Sequence, residues 1–329
     1  MLNSEWANVS HEALAGFCGV AYAEQGGASA IALCPLSGIS GGKPMKSRTM
    51  RSIVACAAYI CVLLFVLTGP TLAFAQEDNT GTNPINFTYD ARFYMETSWF
   101  DGGSFIAPTF EFRVPLGSDL ANLTNQKQGI FNDMGKRFAL RFKFRPQQNL
   151  NLDHPGGDPT AAVNISGMGD MDFRFLAVPY VTENWGIATG LEFFVPTATN
   201  DLLGTGKLAL RPQVFLGFFG LFGKNSIFAP GYLYVFDVAG ESARASIRQH
   251  QIDIYFVWLL AQMRHWLIVN PQMNFDVEND LNIYLIDVEW GYMIPPLPGA
   301  SIHLRPGFGL GEDRPFDWTF EFGLKFVWR

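Results

Sequence analysis

Cysteine is missing from the chain after residue 75. All four cysteines, Cys18, Cys34, Cys56 and Cys61, lie upstream of that point. From Gln76 onward the chain therefore cannot build a disulfide framework, a thiolate metal site or a cysteine nucleophile.

Basic residues and long apolar runs are also scarce. From Gln76 to the C-terminus, 19 lysines and arginines stand against 27 aspartates and glutamates, a net charge of −8. This acidic balance argues against nucleic acid as a partner. No stretch after residue 75 stays apolar for the roughly 20 residues that a membrane-spanning helix needs. If the chain resides in a membrane, it crosses with strands.

Residues 45–75 have the three-part layout of a secretory signal. Lys46, Arg48 and Arg51 precede an apolar run over 53–67, and Ala73-Phe74-Ala75 offers small residues where signal peptidase cuts. We expect cleavage before Gln76. Because a signal belongs at the N-terminus, residues 1–44 are interpreted as an over-extended gene start, with a small cytosolic pre-domain as the alternative. Residues 76–329 then form one domain.

The last 13 residues, 317–329, alternate strictly. Trp318, Phe320, Phe322, Leu324, Phe326 and Trp328 share one face, whereas the other carries mostly polar or small residues. A period of two predicts a β-strand, and an aromatic-rich face opposite charges is typical of a strand between lipid and a wet lumen. Barrel assembly machinery is expected to read a C-terminal aromatic, and here Trp328 is penultimate.

The same alternation recurs along the chain. It predicts about twelve antiparallel strands, which occupy roughly 87–99, 104–114, 137–145, 170–180, 185–196, 207–219, 226–237, 247–260, 265–276, 281–293, 300–311 and 314–328. Short connections follow most even strands (182–184, 221–225, 262–264, 295–299), and longer ones follow most odd strands (146–169, 197–206, 238–245). Short periplasmic turns and longer outer loops produce this asymmetry, although the long 116–136 connection departs from it.

A soluble β-sandwich is the structural alternative. Its apolar face would be rich in valine, isoleucine and leucine. Here the apolar face is aromatic, and tryptophans fall near predicted strand ends, as in the aromatic girdles of membrane barrels: Trp99, Trp185, Trp266, Trp290, Trp318 and Trp328. The sequence therefore predicts an all-β fold, a transmembrane antiparallel β-barrel in the outer membrane of a Gram-negative-type bacterium.

Short motifs in the middle of the chain follow a fixed order. Gly167-Met168-Gly169-Asp170 opens a strand, Pro196-Thr197 ends the next, and Leu203-Gly204-Thr205-Gly206 precedes the strand that holds Arg211. This order resembles the outer-membrane barrel family labelled "MetA-pathway of phenol degradation", best over 167–213 and more loosely over 85–329. Pro-Thr-Ala replaces the family's Pro-Thr-Gly. The resemblance implies a transporter of small solutes, hydrophobic or aromatic compounds among them. From the residues alone, turns and strand register explain the motifs equally well.

The lumen face carries the candidate site. Parity places eighteen polar side chains there: Glu111, Arg113, Arg141, Lys143, Arg145, Asp170, Asp172, Arg174, Arg211, Gln213, Asp253, Gln272, Asp287, Glu289, His303, Arg305, Glu321 and Lys325. The third strand is purely basic, and the tenth strand and the start of the fourth are acid-rich. Opposed walls of this kind would filter polar solutes. The alternative is that the charges pair and fill a closed structural barrel.

Other chemistry has little support. The acidic run 276–280 does not match a calcium loop, because Leu281 and Asp287 stand where glycine and glutamate are needed. Ser301 and His303 share a face but lie roughly 7 Å apart along a strand, too far for a hydrolase dyad. No metalloprotease, nucleophile-elbow or phosphate-loop motif occurs.

We expect no enzymatic activity, metal or cofactor, and we expect passive uptake of small solutes. The expected partners are outer-membrane lipids, the barrel assembly machinery and the solute. A non-conducting structural or adhesive barrel is the alternative function, and a lipid-modifying barrel is the third.

Overall fold

The computed structural model describes residues 89–116, 138–153 and 162–328, together with the backbone of two short N-terminal strands. Those two strands, β1 (Val20–Gln25) and β2 (Ala28–Leu33), pair with each other as an antiparallel hairpin. The predicted signal peptide over 45–75 and the long 116–136 connection, apart from Leu116, lie outside the described residues.

The remaining strands form one sheet that closes on itself. In chain order they are β3 (Tyr89–Phe100), β4 (Gly103–Pro115), β5 (Phe138–Phe144), β6 (Gln148–Leu152), β7 (Val163–Gly167), β8 (Met171–Val181), β9 (Trp185–Val195), β10 (Lys207–Phe219), β11 (Ser226–Gly240), β12 (Arg248–Leu260), β13 (His265–Asp276), β14 (Leu281–Met293), β15 (Ala300–Leu310) and β16 (Trp318–Trp328). All neighbouring pairs are antiparallel, and β3 pairs with both β4 and β16, which closes the sheet into a barrel. Because β6 continues β5 and β7 leads into β8, these fourteen strands make twelve strand positions around the barrel.

The predicted strand count is confirmed, but the third and fourth strands are longer than predicted. The first half of the third strand, β5, ends at Phe144, and β6 continues it after Pro146, pairing with the first residues of β4. β7 extends the fourth strand in the same way by pairing with β6. The expected outer loop over 146–169 is therefore partly wrong, because two short strands occupy both of its flanks. Proline at 146 removed the alternation on which that prediction relied.

The two faces of the strands meet different surroundings. On β16, Thr319, Glu321 and Lys325 are each 2 % exposed, whereas Phe322 is 43 % exposed and Phe326 50 %. Large aromatic side chains are similarly exposed on β3, β4, β5 and β8. An apolar outer band around a polar interior is the signature of a transmembrane β-barrel, since lipid contacts the outside and lumen groups need polar partners. None of the described residues forms a helix long and apolar enough to cross a membrane.

Connections differ between the two ends of the barrel. The short turns at 182–184, 220–225, 261–264 and 294–299 meet at one end, called here the turn end. The connections at 196–206, 241–247, 277–280 and 311–317 meet at the other, called the loop end, where β6 also ends and β7 begins. The tight β3–β4 turn, where Gly102 has a φ of 81°, also lies at the loop end.

Aromatic rings mark both ends of the seam between β3 and β16. At the loop end Trp99 stacks on Trp318 with ring centroids 3.7 Å apart, and at the turn end Tyr89 stacks on Trp328 at 6.1 Å. Trp266 does not join this arrangement, contrary to expectation. It is fully buried and points into the lumen, because it has the parity of Asn270 and Gln272, and Gly291 opposite it leaves room for the indole.

A charge on the outer face tests the lipid contact of this band. Phe322→Arg on β16 is expected to lower the free energy of unfolding by about 2–4 kcal/mol, the cost of an arginine near the bilayer midplane. Urea unfolding of the barrel folded into lipid vesicles measures this difference. Phe322→Leu is the control, because it keeps the face apolar and should lose less than about 1.5 kcal/mol. Equal losses for the two variants would contradict the lipid-facing assignment.

Candidate functional site

All twelve charged residues singled out as candidate selectivity groups face the interior. Nine of them are buried within the barrel, and Arg113, Arg174 and Glu289 border a cavity there. Parity along each strand was sufficient for this assignment, because side chains of a strand alternate between the faces. Their role in selecting solutes stays a prediction.

A carboxylate that the sequence prediction missed organises the basic side of the lumen. Glu192 on β9 is fully buried and pairs with three arginines from three strands. The Nε atoms of Arg174 and Arg211 each donate to its Oε2 at 2.9 Å, and Arg141 donates to its Oε1. Register explains the cluster, since Arg174 and Arg211 lie directly opposite Glu192 on the two flanking strands. The signal in the sequence was a single acid within an otherwise uncharged strand.

The basic third strand is neutralised by its neighbours. Arg145 pairs with Asp172 at 3.0 Å, and Lys143 approaches Glu111 at 3.9 Å. Asp172 belongs to the fourth strand, which is adjacent to β5 in the ring. The start of the fourth strand therefore pairs with the basic wall instead of opposing it.

Two more arginines line this side through β3 and β4. Arg92 lies 3.2 Å from Asp90 and 3.6 Å from Glu111, and Arg113 lies 3.3 Å from Asp90. Each carboxylate is thus shared between cations, as buried charges require.

An acid-rich group lies across the lumen. Asp287 and Glu289 are on β14, the tenth strand of the ring, which faces β5 across the barrel. Arg305 pairs with Glu321 and lies 3.8 Å from Glu289. The expected opposition of basic and acidic walls is thus present for the tenth strand, but each wall holds counter-ions of its own.

The motif residues singled out between Gly167 and Gly206 meet at the loop end. The carboxylate of Asp170 accepts hydrogen bonds from the backbone N–H groups of Thr197 and Ala198 at 3.1 Å. It also accepts from the N–H of Thr205 at 2.7 Å and from its hydroxyl at 3.0 Å. We call this arrangement the Asp170 node. It ties both ends of the 196–206 connection to the start of β8, so the motifs have a structural role.

The tied connection folds toward the lumen. Leu203, 1 % exposed, packs with Phe105 and Ala107 of β4 and with Leu150 and Leu152 of β6. Across the barrel, Phe316 from the 311–317 connection packs on the lumen-facing side chains of β14, which are Leu281, Ile283 and Leu285. Two apolar clusters therefore narrow the loop end.

A cavity of about 210 Å³ occupies the lumen toward the turn end. One wall is cationic and runs over β16, β3, β4, β5 and β8; the opposite wall, on β10 to β13, is apolar and includes Phe215, Ile227, Ala229, Val257 and Ile268. Six cationic side chains and three carboxylates line it, a formal charge of +3; they are Arg92, Arg113, Arg141, Arg174, Arg305 and Lys325 with Glu111, Asp287 and Glu289.

Buried amides line the same side of the lumen as the apolar wall. Six of them carry at least one side-chain atom without a hydrogen-bond partner among the described residues: Gln213, Gln249, Gln251, Asn270, Gln272 and Asn274. We call them the amide row. Buried polar atoms are nearly always paired, so water or a solute in the lumen is the partner that these atoms require.

Ser301 and His303 do not form a catalytic dyad. His303 lies 2.7 Å from Glu321, and Ser301 donates to the backbone carbonyl of Lys325, so neither contacts the other. No group of three or more metal-binding side chains occurs in the described part of the chain. In the acidic turn, Asp276 accepts from the N–H groups of Glu278 and Asn279, which uses its carboxylate for the turn.

Comparison with known proteins gives similarity of structure alone. No protein-family model matches the chain, and no curated protein matches it. An outer-membrane channel from Pseudomonas putida F1 is similar with a TM-score of 0.53 and 11 % identity, over 78 % of this chain and all of that one.

Two further solved structures are similar at lower scores. The NanC porin has a TM-score of 0.45 and 11 % identity, over 72 % of this chain and 98 % of that one. Outer-membrane phospholipase A from Escherichia coli has a TM-score of 0.40 and 12 % identity, over 74 % of this chain and 93 % of that one. At these identities the likeness is one of fold, and the chain has the fold of an outer-membrane β-barrel.

Proposed function

We propose that this protein is an outer-membrane channel for the passive uptake of small solutes. The observation that carries the proposal is the lumen cavity next to the amide row, whose unpartnered atoms require water or solute inside the barrel. A barrel filled by its own side chains would satisfy such atoms internally. Twelve strands lie between the filled barrels of about eight strands and the open porins of about sixteen.

The membrane assignment rests on the outer face. Its exposed phenylalanines, with aromatic stacks at both ends of the seam, fit a bilayer with aromatic interfaces. The predicted signal peptide would provide the export route. The turn end would face the periplasm, because short turns lie on that side in bacterial outer-membrane barrels. Outer-membrane lipids and the assembly machinery are then partners.

The solute class is proposed from the resemblance to the phenol-degradation family and from the loop end. The apolar clusters around Leu203 and Phe316 offer an incoming molecule a surface that suits hydrophobic or aromatic compounds. The paired charges deeper in the lumen also fit the alternative, a non-conducting structural barrel. Conductance separates the two.

Wild-type protein reconstituted in planar bilayers is expected to conduct potassium chloride, because the lumen holds an open cavity. Single-channel current recordings measure this. A folded barrel that carries no current, together with no uptake defect in a deletion strain, would establish the non-conducting alternative.

Releasing the Asp170 node should widen the loop end. Asp170→Ala removes the acceptor of four hydrogen bonds and loosens the 196–206 connection, although the hydroxyls of Thr197 and Thr199 still accept from the N–H groups of Met171 and Met168. Single-channel conductance is expected to rise severalfold, with a smaller rise for Asp170→Asn, whose remaining carbonyl still accepts. Glu312→Gln removes an exposed carboxylate at the same end and should leave conductance unchanged. Unchanged conductance in Asp170→Ala would show that this connection does not limit flow.

Removing the carboxylate of Glu192 tests how far the three arginines around it depend on that counter-ion. Glu192→Gln leaves Arg141, Arg174 and Arg211 together without their common anion, and breaking a buried pair from one side costs about 3–5 kcal/mol. Urea unfolding in vesicles should show this loss, and the surviving channels should become more anion-selective. Glu241→Gln removes an exposed carboxylate 3.6 Å from Arg244 at the rim and should cost less than about 1 kcal/mol. Equal stability of the two variants would contradict the proposed charge cluster.

A further inference from the structure

The cavity near the turn end is two-sided. Its cationic wall on β16, β3, β4, β5 and β8 faces an apolar wall built by β10 to β13, across the width of the barrel. A hydrated inorganic ion would leave the apolar wall unused, and a neutral apolar molecule would lie against several charges. A molecule with a charged end and an apolar end matches both walls.

Lys325 is the cation of this wall with the least protein compensation. Its side chain is 2 % exposed, and no carboxylate lies within 4.0 Å of its ammonium group among the described residues. Its one close charge-stabilising contact in that part of the chain is the ring of Trp266, whose centroid lies 5.0 Å away. A cation–π contact contributes far less than a buried ammonium needs, so an anion is the complementary partner.

Two amides at the cavity have hydrogen-bonding capacity that the described protein does not use. Neither side-chain atom of Gln213 has a partner, and the Oδ1 atom of Asn270 has none. Both residues are more than nine-tenths buried and border the cavity. Gln213 lies opposite Gly190 on β9, so its amide is not hidden behind a side chain of that neighbour. The Gln213 NH₂ group is a donor whose hydrogen bonds the described residues do not make.

We propose that this cavity binds a small organic anion, a carboxylate carried on a short apolar body. The carboxylate faces Lys325 and the neighbouring arginines, and the apolar body lies against the side chains of Phe215, Ile227 and Val257. The volume of about 210 Å³ is below the roughly 300–1,000 Å³ of sites for drug-sized ligands, so the ligand is small. The inference rests on the proposed function and deepens it, because the cavity would be a binding site on the path of the solute through the channel.

Three probes separate the contributions of charge and apolar body. Benzoate carries both, benzyl alcohol carries the apolar body without the charge, and acetate carries the charge without the ring. Calorimetric titration of the barrel in lipid nanodiscs, with empty nanodiscs as the blank, is expected to show benzoate binding at least about tenfold tighter than either of the others, a difference of 1.4 kcal/mol. Equal binding of benzyl alcohol, or of acetate, would overturn the proposal.

Variants locate the site. Lys325→Gln is expected to weaken benzoate binding at least tenfold, and Lys224→Gln, which removes an exposed cation from a turn at the same end, should have no effect. Gln213→Leu should weaken binding by a smaller factor. Ala229→Leu fills the apolar wall without changing any charge, so it should abolish binding even if Lys325→Gln fails to fold. Wild-type affinity in the folded Ala229→Leu barrel would overturn the proposal.

Conductance in potassium chloride keeps this test independent of the proposed function. A barrel that conducts but does not bind benzoate refutes the organic-anion site and leaves the channel standing. A barrel that binds benzoate with the expected variant pattern but never conducts supports the site and refutes the channel.

Discussion

Backbone hydrogen bonding in hydrocarbon is the constraint on which the other features of this barrel depend. Lipid offers no partner to a peptide group, so every spanning strand must be paired on both sides. The pairing of β16 with β3 over eleven consecutive residue pairs meets that demand and closes the ring of strands. Closure then fixes the two faces, because each residue must point either to lipid or to the lumen.

The enclosed side chains follow from the same closure. Charges that point inward cannot all reach bulk water, so they gather around shared counter-ions, as Arg141, Arg174 and Arg211 do around Glu192. Most charged side chains of the basic and acidic strands pair with opposite charges in such clusters. The apolar wall carries no charged group, and the open volume is found next to it and to the buried amides Gln213 and Asn270. The lumen is therefore asymmetric: charged side chains pair on one side, and buried amides on the other side have atoms without a hydrogen-bond partner among the described residues.

Alternation in the sequence predicted what depends on one strand at a time. Strand positions, the lipid-facing aromatics and the inward charges such as Arg305 and Glu321 are of this kind. Features that depend on register between strands were not predictable in this way. Glu192 is a cluster centre because of its neighbours on β8 and β10, and Trp266 turns inward against Gly291. The inward-folded 196–206 connection likewise depends on Asp170, which lies more than twenty-five positions upstream of its partners.

The seam also has a consequence for the order in which the barrel forms. Most neighbouring strands are joined by short connections, so their pairing closes small loops at little entropic cost. Ser98 and Thr319, which hydrogen bond across the seam, are separated by 221 positions in the chain. Such a long-range contact is slow to form when it must wait for random encounter. The hairpins therefore precede the closed barrel, and until the seam closes, the aromatic strand at the C-terminus and the strand that begins at Tyr89 remain the two open edges of a curved sheet.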